Sequence, residues 1–316
     1  MAGETRVEHA TDGFGDRCST IEPLPLMQEL LYTNIFLKSI IITKKGVIMK
    51  YKLGFVGAGV MAGAILKRIL GSIDNLPLNA SDVIVYDLDE NKLNEFTKMG
   101  AVKGESSNQI FDEAEIVMLG VKPQFYADIL RATPSINAKT ILSIMAGVKI
   151  EKLKTFFGDR GIVRIMPNTP CTIGKGVMAV TFDGCEQETE QFVLELLNTC
   201  GKTLVIEESK FDAVTSISGS GPAYVYAFAD AMVQAGIKGG LTKEESKLLT
   251  LATLEGSASY AGIAEFELGT LVERVCSKGG TTIEAINVFN ENRLSDIIEK
   301  GITACREKSI LLSEKL

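Results

Sequence analysis

The sequence predicts an α/β fold, a doubly wound parallel sheet in its N-terminal part, followed by an all-helical C-terminal part. Three observations predict it. From Lys52 to about Lys210, short apolar runs alternate with amphipathic stretches, as in a sheet covered by helices on both faces. A glycine-rich turn joins the first apolar run to the first amphipathic stretch. Beyond Lys210 the β-branched runs disappear and helical periodicity takes over.

Length and composition permit such a chain. The 316 residues can build two cores, and 46% hydrophobic with 23% charged residues is ordinary globular usage. The net charge of -7, with no cluster of Lys and Arg, argues against a nucleic-acid partner, so an anionic ligand has to be held by local groups. The six cysteines form no CxxC pair, which argues against a zinc site or a disulfide framework and favours a reducing, cytoplasmic location. His9, the single histidine, lies outside the patterned region, which leaves no place for a Ser-His-Asp triad or a His-ligated metal.

Residues 1–48 differ from the rest. They are polar and aperiodic up to Pro25, then apolar but interrupted by Asn34 and Lys38. The longest uncharged part of that apolar run, residues 30–37, is far short of the ~20 residues a bilayer span needs. Lys44-Lys45-Gly46-Val47-Ile48-Met49 is what purine-rich ribosome-binding DNA would encode if read through into a start at Met49. The expectation is an extraneous or poorly ordered extension over residues 1–48.

The first regular unit is strand, turn, helix: KLGFVG, then Gly57-Ala58-Gly59-Val60-Met61-Ala62, then MAGAILKRILG with Ile65, Leu66, Ile69 and Leu70 at helical spacing. The turn is a GxGxxA form of the Rossmann dinucleotide fingerprint. Gly57 permits the tight turn, Gly59 admits the pyrophosphate, Ala62 allows close packing, and the amides at Val60 and Met61 open the helix toward phosphate. The next strand, DVIVYDLD, brings Asp87 to its end, where a carboxylate accepts from ribose hydroxyls and repels a 2′-phosphate, favouring NADH over NADPH. Its interval from Gly57 exceeds the usual ~20 residues. The competing reading makes Asp87 or Asp89 the cap of the helix NKLNEFTKM.

Further units follow: EIVMLGVKP, QFYADILRA, TILSIMAGV, EKLKTFFG and GIVRIMPNTP. Val121-Lys122-Pro123, Ala146-Gly147 and Asn168 fall at strand carboxyl ends, where such sheets bind ligands. GVMAVTF and KTLVIEE flank the amphipathic ETEQFVLELLNTC and complete the sheet. The expected division is a nucleotide-binding domain over residues 49–210 and a helical domain over 211–316.

In the helical part Pro222 and Thr242 mark helix starts, Thr242 with Glu245 forming a T-x-x-E capping box. PAYVYAFADAMVQAG and KEESKLLTLATLEGSASYA are apolar around much of their circumference and should be buried. A domain this small cannot cover them alone, which points to a helical homodimer interface.

From Met49 to near its end the chain resembles the Δ1-pyrroline-5-carboxylate reductase family. The resemblance rests on GFVGAGVMAGAI, VKPQ, SIMAGV, RIMPNTP, SGSGPAYVYAFADAM and VCSKGGTTIEA in family order. It implies NADPH- or NADH-dependent reduction of the cyclic imine to L-proline, the last step of proline biosynthesis. It also implies a substrate held between the Rossmann domain of one subunit and helical elements at the dimer interface.

By the same resemblance Ser277, Gly280, Thr281 and Thr282 form the substrate loop, with Thr282 and Glu265 catalytic. Asn168 lies beside the nicotinamide, and Val121, Lys122 and Pro123 form a cofactor loop. Two departures stand out: Lys278 replaces a usual proline, and Glu267-Leu268 replaces a common His-Pro.

The chemistry suits a chain without a useful histidine, because an imine of near-neutral pKa needs mainly a positioned hydride donor. Backbone amides where TTIEAINVFNEN begins offer a carboxylate site, and the Thr282 hydroxyl can donate to the carboxylate and accept from the ring nitrogen. The bland reading of Thr282 is an N-cap. Other readings are a β-hydroxyacid dehydrogenase, for which no GxxxNxxK-like helix is found, and a reductase-like paralogue with a regulatory role.

Overall fold

The computed structural model describes residues 41–42 and 48–315, so the expected extension over residues 1–48, with His9 and Cys18, falls almost wholly outside the described residues. Of that stretch one short antiparallel ladder is described, Ile41–Ile42 against Ile48–Met49.

Eight strands form one sheet. In chain order they are β1 (Tyr51–Val56), β2 (Val83–Tyr86), β3 (Val102–Lys103), β4 (Ala114–Leu119), β5 (Thr140–Ser143), β6 (Gly161–Met166), β7 (Gly176–Asp183) and β8 (Gly201–Val205). In space they run β8-β7-β6-β5-β4-β1-β2-β3. The helices among them are α1 (Val60–Gly71), α2 (Glu90–Lys98), α3 (Ser107–Glu113), α4 (Tyr126–Arg131), α5 (Ile150–Phe157) and α6 (Gln187–Asn198).

Successive strand residues face opposite cores. Val85, Met118, Leu142 and Val163 pack with Ile65 and Ile69 of α1 and Phe192 and Leu196 of α6. Ile84, Val117, Ile141 and Ile162 pack with Ile110 and Phe111 of α3 and Leu153 and Phe157 of α5. Burying each such side chain contributes about 1.5–3 kcal/mol, so both faces of the sheet are fixed by their helices.

The strands up to β6 pair in parallel as expected, and the structure adds one reversal: β7 runs antiparallel to β6, while every other neighbouring pair is parallel. The cause is the link between them, a single 3-10 turn over Thr169–Ile173. A parallel crossover needs a dozen or more residues, so a chain with this short a link must return beside β6 in the opposite sense. Two elements carry little sequence signal. The edge strand β3 is two residues long, and α3 is one short helix whose Ser106 cap accepts from Gln109 N at 3.2 Å.

Beyond a 3-10 turn at Glu208–Lys210 the chain is helical: α7 (Phe211–Val214), a π-turn (Thr215–Gly219), α8 (Gly221–Lys238), α9 (Lys243–Ala261), α10 (Leu268–Val275), α11 (Thr281–Glu291) and α12 (Leu294–Ser313). Pro222 lies in the first turn of α8. Thr242 caps α9 in the expected box, with Glu245 N donating to Thr242 Oγ1 at 3.2 Å and Thr242 N to Glu245 Oε2 at 2.8 Å.

The expected burial of α8 and α9 is not met within one chain. Over residues 221–315 only Ala229, Ser246 and Thr250 are buried, while Tyr226 is 62% and Leu248 70% exposed. The helices enclose too little of one another for a single copy to bury their apolar surface. Among the described residues no helix is long and apolar enough to cross a membrane.

At the amino ends of the strands Glu115 is buried between two lysines, Lys52 Nζ at 2.8 Å and Lys139 Nζ at 2.7 Å. Burial pushes its carboxyl up, but the hydrogen bonds from Lys139 and Lys52 outweigh that and hold it below the ordinary carboxylate range. A lowered folded-state pKa stabilises the fold above the unfolded value and loses that contribution as pH falls through the folded one. Melting temperature measured against pH should therefore fall below about pH 4.3 in the parent, and Glu115→Gln should flatten that slope while lowering stability at pH 7. An unaltered slope in the variant would show that Glu115 does not set it.

Candidate active site

Strand order reverses at β1, which lies between β4 and β2, and in open α/β sheets that crevice is where ligands bind. Gly57 leaves β1 at φ +89 and donates its amide to Tyr86 O of β2 at 2.8 Å. A Cβ there would lie 2.9 Å from Val121 Cγ1 and 3.1 Å from the Gly120 backbone. Gly120, directly after β4, is tighter still: its Cβ would fall 2.3 Å from Gly57 O and 2.4 Å from Ala62 Cβ. The exits of β1 and β4 are thus in backbone contact, and Ala62 is small for the same reason. Sequence reasoning misses Gly120, whose only local signal is a glycine at a strand end.

Gly59 is different. A Cβ on it would meet only Gly120 O at 3.6 Å, an ordinary contact. The protein itself therefore tolerates a side chain there, and the open space lies where the fingerprint brings a pyrophosphate against the backbone. Gly59 also begins α1 with extended backbone, no side-chain cap and no acidic residue in the first turn. The amides at Val60 and Met61 stand at the positive end of a 12-residue helix. These features fit the diphosphate of a dinucleotide.

Asp87 follows β2. Its carboxylate accepts from Ala58 N at 2.6 Å and Asp89 N at 2.9 Å, with Lys92 Nζ at 3.4 Å. Burial pushes Asp87 up, but the amides of Asp89 and Ala58 and then Lys92 hold it below its ordinary value, so it is anionic at neutral pH. Asp87 therefore anchors the glycine turn from the next strand. The cap of α2 is Asp89, which accepts from Asn91 N at 3.0 Å.

After β4, Val121 packs on Gly57, Pro123 is half-buried, and Lys122 is exposed in a turn closed by Phe125 N on Lys122 O at 3.0 Å. Asn168, after β6, is 8% exposed. Its Oδ1 accepts from Val177 N at 2.9 Å and its Nδ2 donates to Ser218 O at 3.2 Å. It ties the β6 exit to β7 and to the π-turn that opens the helical half, and these two bonds use its oxygen and one of its two N–H groups.

The second group of residues lies in the helical half. Ser277, Lys278, Gly279 and Gly280 form a turn in which Gly280 N donates to Ser277 O at 3.0 Å and Gly279 has φ +73, as the third position of a type II turn requires. Proline suits the second position of that turn, so Lys278 occupies the backbone a proline would. Leu268 likewise is the first residue of α10, where proline is tolerated. At both positions the backbone is one that proline could share.

Gly280 is the extended cap of α11 and no side chain caps that helix, so Thr282, in its first turn, is not the N-cap. Thr281 is exposed and Thr282 half-buried. Glu265 is exposed in the connector before α10.

Gly57, Gly59, Val60, Met61, Asp87, Val121, Lys122, Pro123 and Asn168 all lie at the carboxyl edge of the sheet, while Glu265, Ser277, Gly280, Thr281 and Thr282 lie along residues 265–282. Among the described residues no hydrogen bond or ion pair joins residues 265–292 to the sheet half. Among the described residues there is no cluster of His, Cys, Asp and Glu able to hold a metal ion.

Two family models match the chain: "NADP oxidoreductase coenzyme F420-dependent" over residues 52–147 and "Pyrroline-5-carboxylate reductase dimerisation" over residues 208–312. The pyrroline-5-carboxylate reductase of Aquifex aeolicus is 36% identical over 265 residues, covering 83% of this chain and 98% of that protein. That of Escherichia coli is 34% identical over 271 residues, covering 84% and 100%. A crystal structure of Plasmodium falciparum pyrroline carboxylate reductase with NADP bound superposes with a TM-score of 0.74 at 28% identity, covering 83% of this chain and 98% of that one. With a sheet that presents a dinucleotide turn and a helical half that matches the dimerisation domain, the chain belongs to the pyrroline-5-carboxylate reductase family.

Proposed function

We propose that this protein is a cytoplasmic homo-oligomeric reductase that converts 1-pyrroline-5-carboxylate to L-proline, favouring NADH. Residues 49–210 serve as its nucleotide domain and residues 211–316 as its substrate and dimerisation domain. The observation that carries the reading is the pairing of two uncapped helix starts, α1 behind Gly59 and α11 behind Gly280, in a chain of this family. One suits a diphosphate and the other a carboxylate.

When bound, the dihydronicotinamide supplies a hydride to the C=N carbon. The chain's residues do the rest. Gly59, Val60 and Met61 would hold the diphosphate, Asp87 would receive the ribose hydroxyls, and Val121, Lys122, Pro123 and Asn168 would border the nicotinamide. The amides of Gly280, Thr281 and Thr282 hold the substrate carboxylate, with Ser277 closing the turn beneath it. Thr282 Oγ1 would accept from the ring nitrogen, which carries the proton that becomes the amine N–H. Glu265, exposed in the connector before α10, would favour that protonated form if it faces the ring. No acid stronger than the iminium itself is needed, and positioning supplies much of the rate.

Among the described residues no hydrogen bond or ion pair joins residues 265–292 to the sheet half, which supports a site completed between subunits, with one copy giving the turn and another giving α11. Thr282→Ala should lower kcat/KM by about 10²-fold or more with the melting temperature unchanged. Mixing inactive Thr282→Ala subunits with inactive Gly57→Val subunits should restore part of the activity; mixtures as inactive as either parent would rule out a shared site.

Gly59→Ala should abolish nucleotide binding, read by fluorescence titration, while costing less than about 1 kcal/mol of stability, because the protein leaves room for the methyl. Tight binding by that variant would remove Gly59 from the diphosphate site. Asp87→Ser should shift the ratio of NADH to NADPH turnover toward NADPH by about tenfold or more, since a fixed anion is removed. An unchanged ratio would leave Asp87 with its anchoring role alone.

A further inference from the structure

Arg164 is the one charged residue inside the apolar strand β6, and it is 5% exposed. Its Nη1 meets Glu208 Oε1 at 2.8 Å, and its guanidinium lies 4.6 Å above the ring of the buried Phe211. Glu208 and Phe211 belong to the short segment by which the chain leaves the sheet for the helical half. The same Glu208 oxygen accepts from Ile150 N at 2.8 Å, at the start of α5, where Lys149 provides no side-chain cap. One ion pair, its arginine buried and its glutamate half-buried, therefore joins the sheet, the helix after the β5 loop, and the root of the helical half. Four residues along the chain from Arg164, Asn168 makes a second tie to that root through Ser218 O.

Replacing such a pair by neutral side chains of similar shape often leaves stability unchanged, and what the pair contributes is a single fixed arrangement. We infer that Arg164 and Glu208 are positioning residues for the reduction, fixing the angle of the helical half on the sheet so that α11 reaches its place against a neighbouring subunit's nucleotide turn. This rests on the reading proposed above. The chain enters the helical half at Phe211 and reaches the substrate turn further along that same half, so rotation at Phe211 is carried into displacement at Thr282. Nucleotide binding uses sheet residues only and carboxylate binding uses α11 only, so loosening the junction should alter neither affinity.

The test is the double variant Arg164→Met with Glu208→Gln, in the full chain. The amide oxygen that replaces the Glu208 carboxylate would still accept from Ile150 N, and no unpaired charge is buried. The expected result is a melting temperature close to the parent's, KM values for nucleotide and imine within about threefold of the parent's, and kcat reduced about 10- to 100-fold, the scale of a displacement near 1 Å. With 4-deuterated NADH the isotope effect on kcat should rise, because hydride transfer becomes rate-limiting. A double variant with parental kcat and parental isotope effect overturns the inference. So does a crystal structure in which its helical half superposes on the parent's with the sheet as reference, whether or not the protein reduces the imine. A parent that binds nucleotide but fails to reduce the imine counts instead against the proposed function. Should the double variant fail to fold, Glu208→Gln alone carries the same expectations in weaker form, and parental kinetics there overturn the inference equally.

Discussion

Two glycine backbones must touch for the sheet to present a ligand site at all. Gly57 and Gly120 are far apart in the chain, yet a methyl group on Gly120 would press on the carbonyl of Gly57 and on Ala62. Interiors are close-packed and yield little, so any side chain there would drive the exits of β1 and β4 apart. The contact propagates. With β4 held, β1 turns sharply into α1; with that turn set, Ala58 N is delivered to Asp87 on the next strand. Three strand exits are registered to one another by two absent side chains and one carboxylate.

Much of this was legible in the sequence, and the illegible remainder has physical reasons. Gly57 and Gly59 were readable because the fingerprint is local, with turn, strand and helix all in one stretch. Gly120 was not, because its need arises from a partner brought near only by strand pairing. Asp87 and Asp89 were equally good caps on paper; the structure divides them, one to the turn and one to α2, since only three-dimensional placement distinguishes carboxylates two residues apart. For Asn168 the sequence yields its place at a strand end but not its amide partners, Val177 and Ser218, which belong to other elements. The reversal of β7 was encoded in the shortness of the link before it. Arg164 belongs to no motif, and nothing local indicates that its partner is the half-buried Glu208 of another element.

Lys278 and Leu268 stand where the resemblance leads one to expect proline, and both occupy backbone that proline could share. The path of the loop is thus set by Gly279 and by the start of α10 rather than by a rigid ring. What the missing prolines change is the freedom of the unfolded chain, and with it the entropy lost when the turn closes.

The near absence of buried residues beyond Gly221 bears on how the molecule is made as well as how it works. The sheet half closes two cores from its own sequence and can be complete while the ribosome still holds the rest. The helices that follow have secondary structure but little interior, so their maturation waits on a collision with another newly made copy. For such a chain abundance becomes a folding variable: sparse synthesis leaves sticky half-finished subunits exposed to chaperones and proteases, while brisk synthesis converts them into sheltered assemblies.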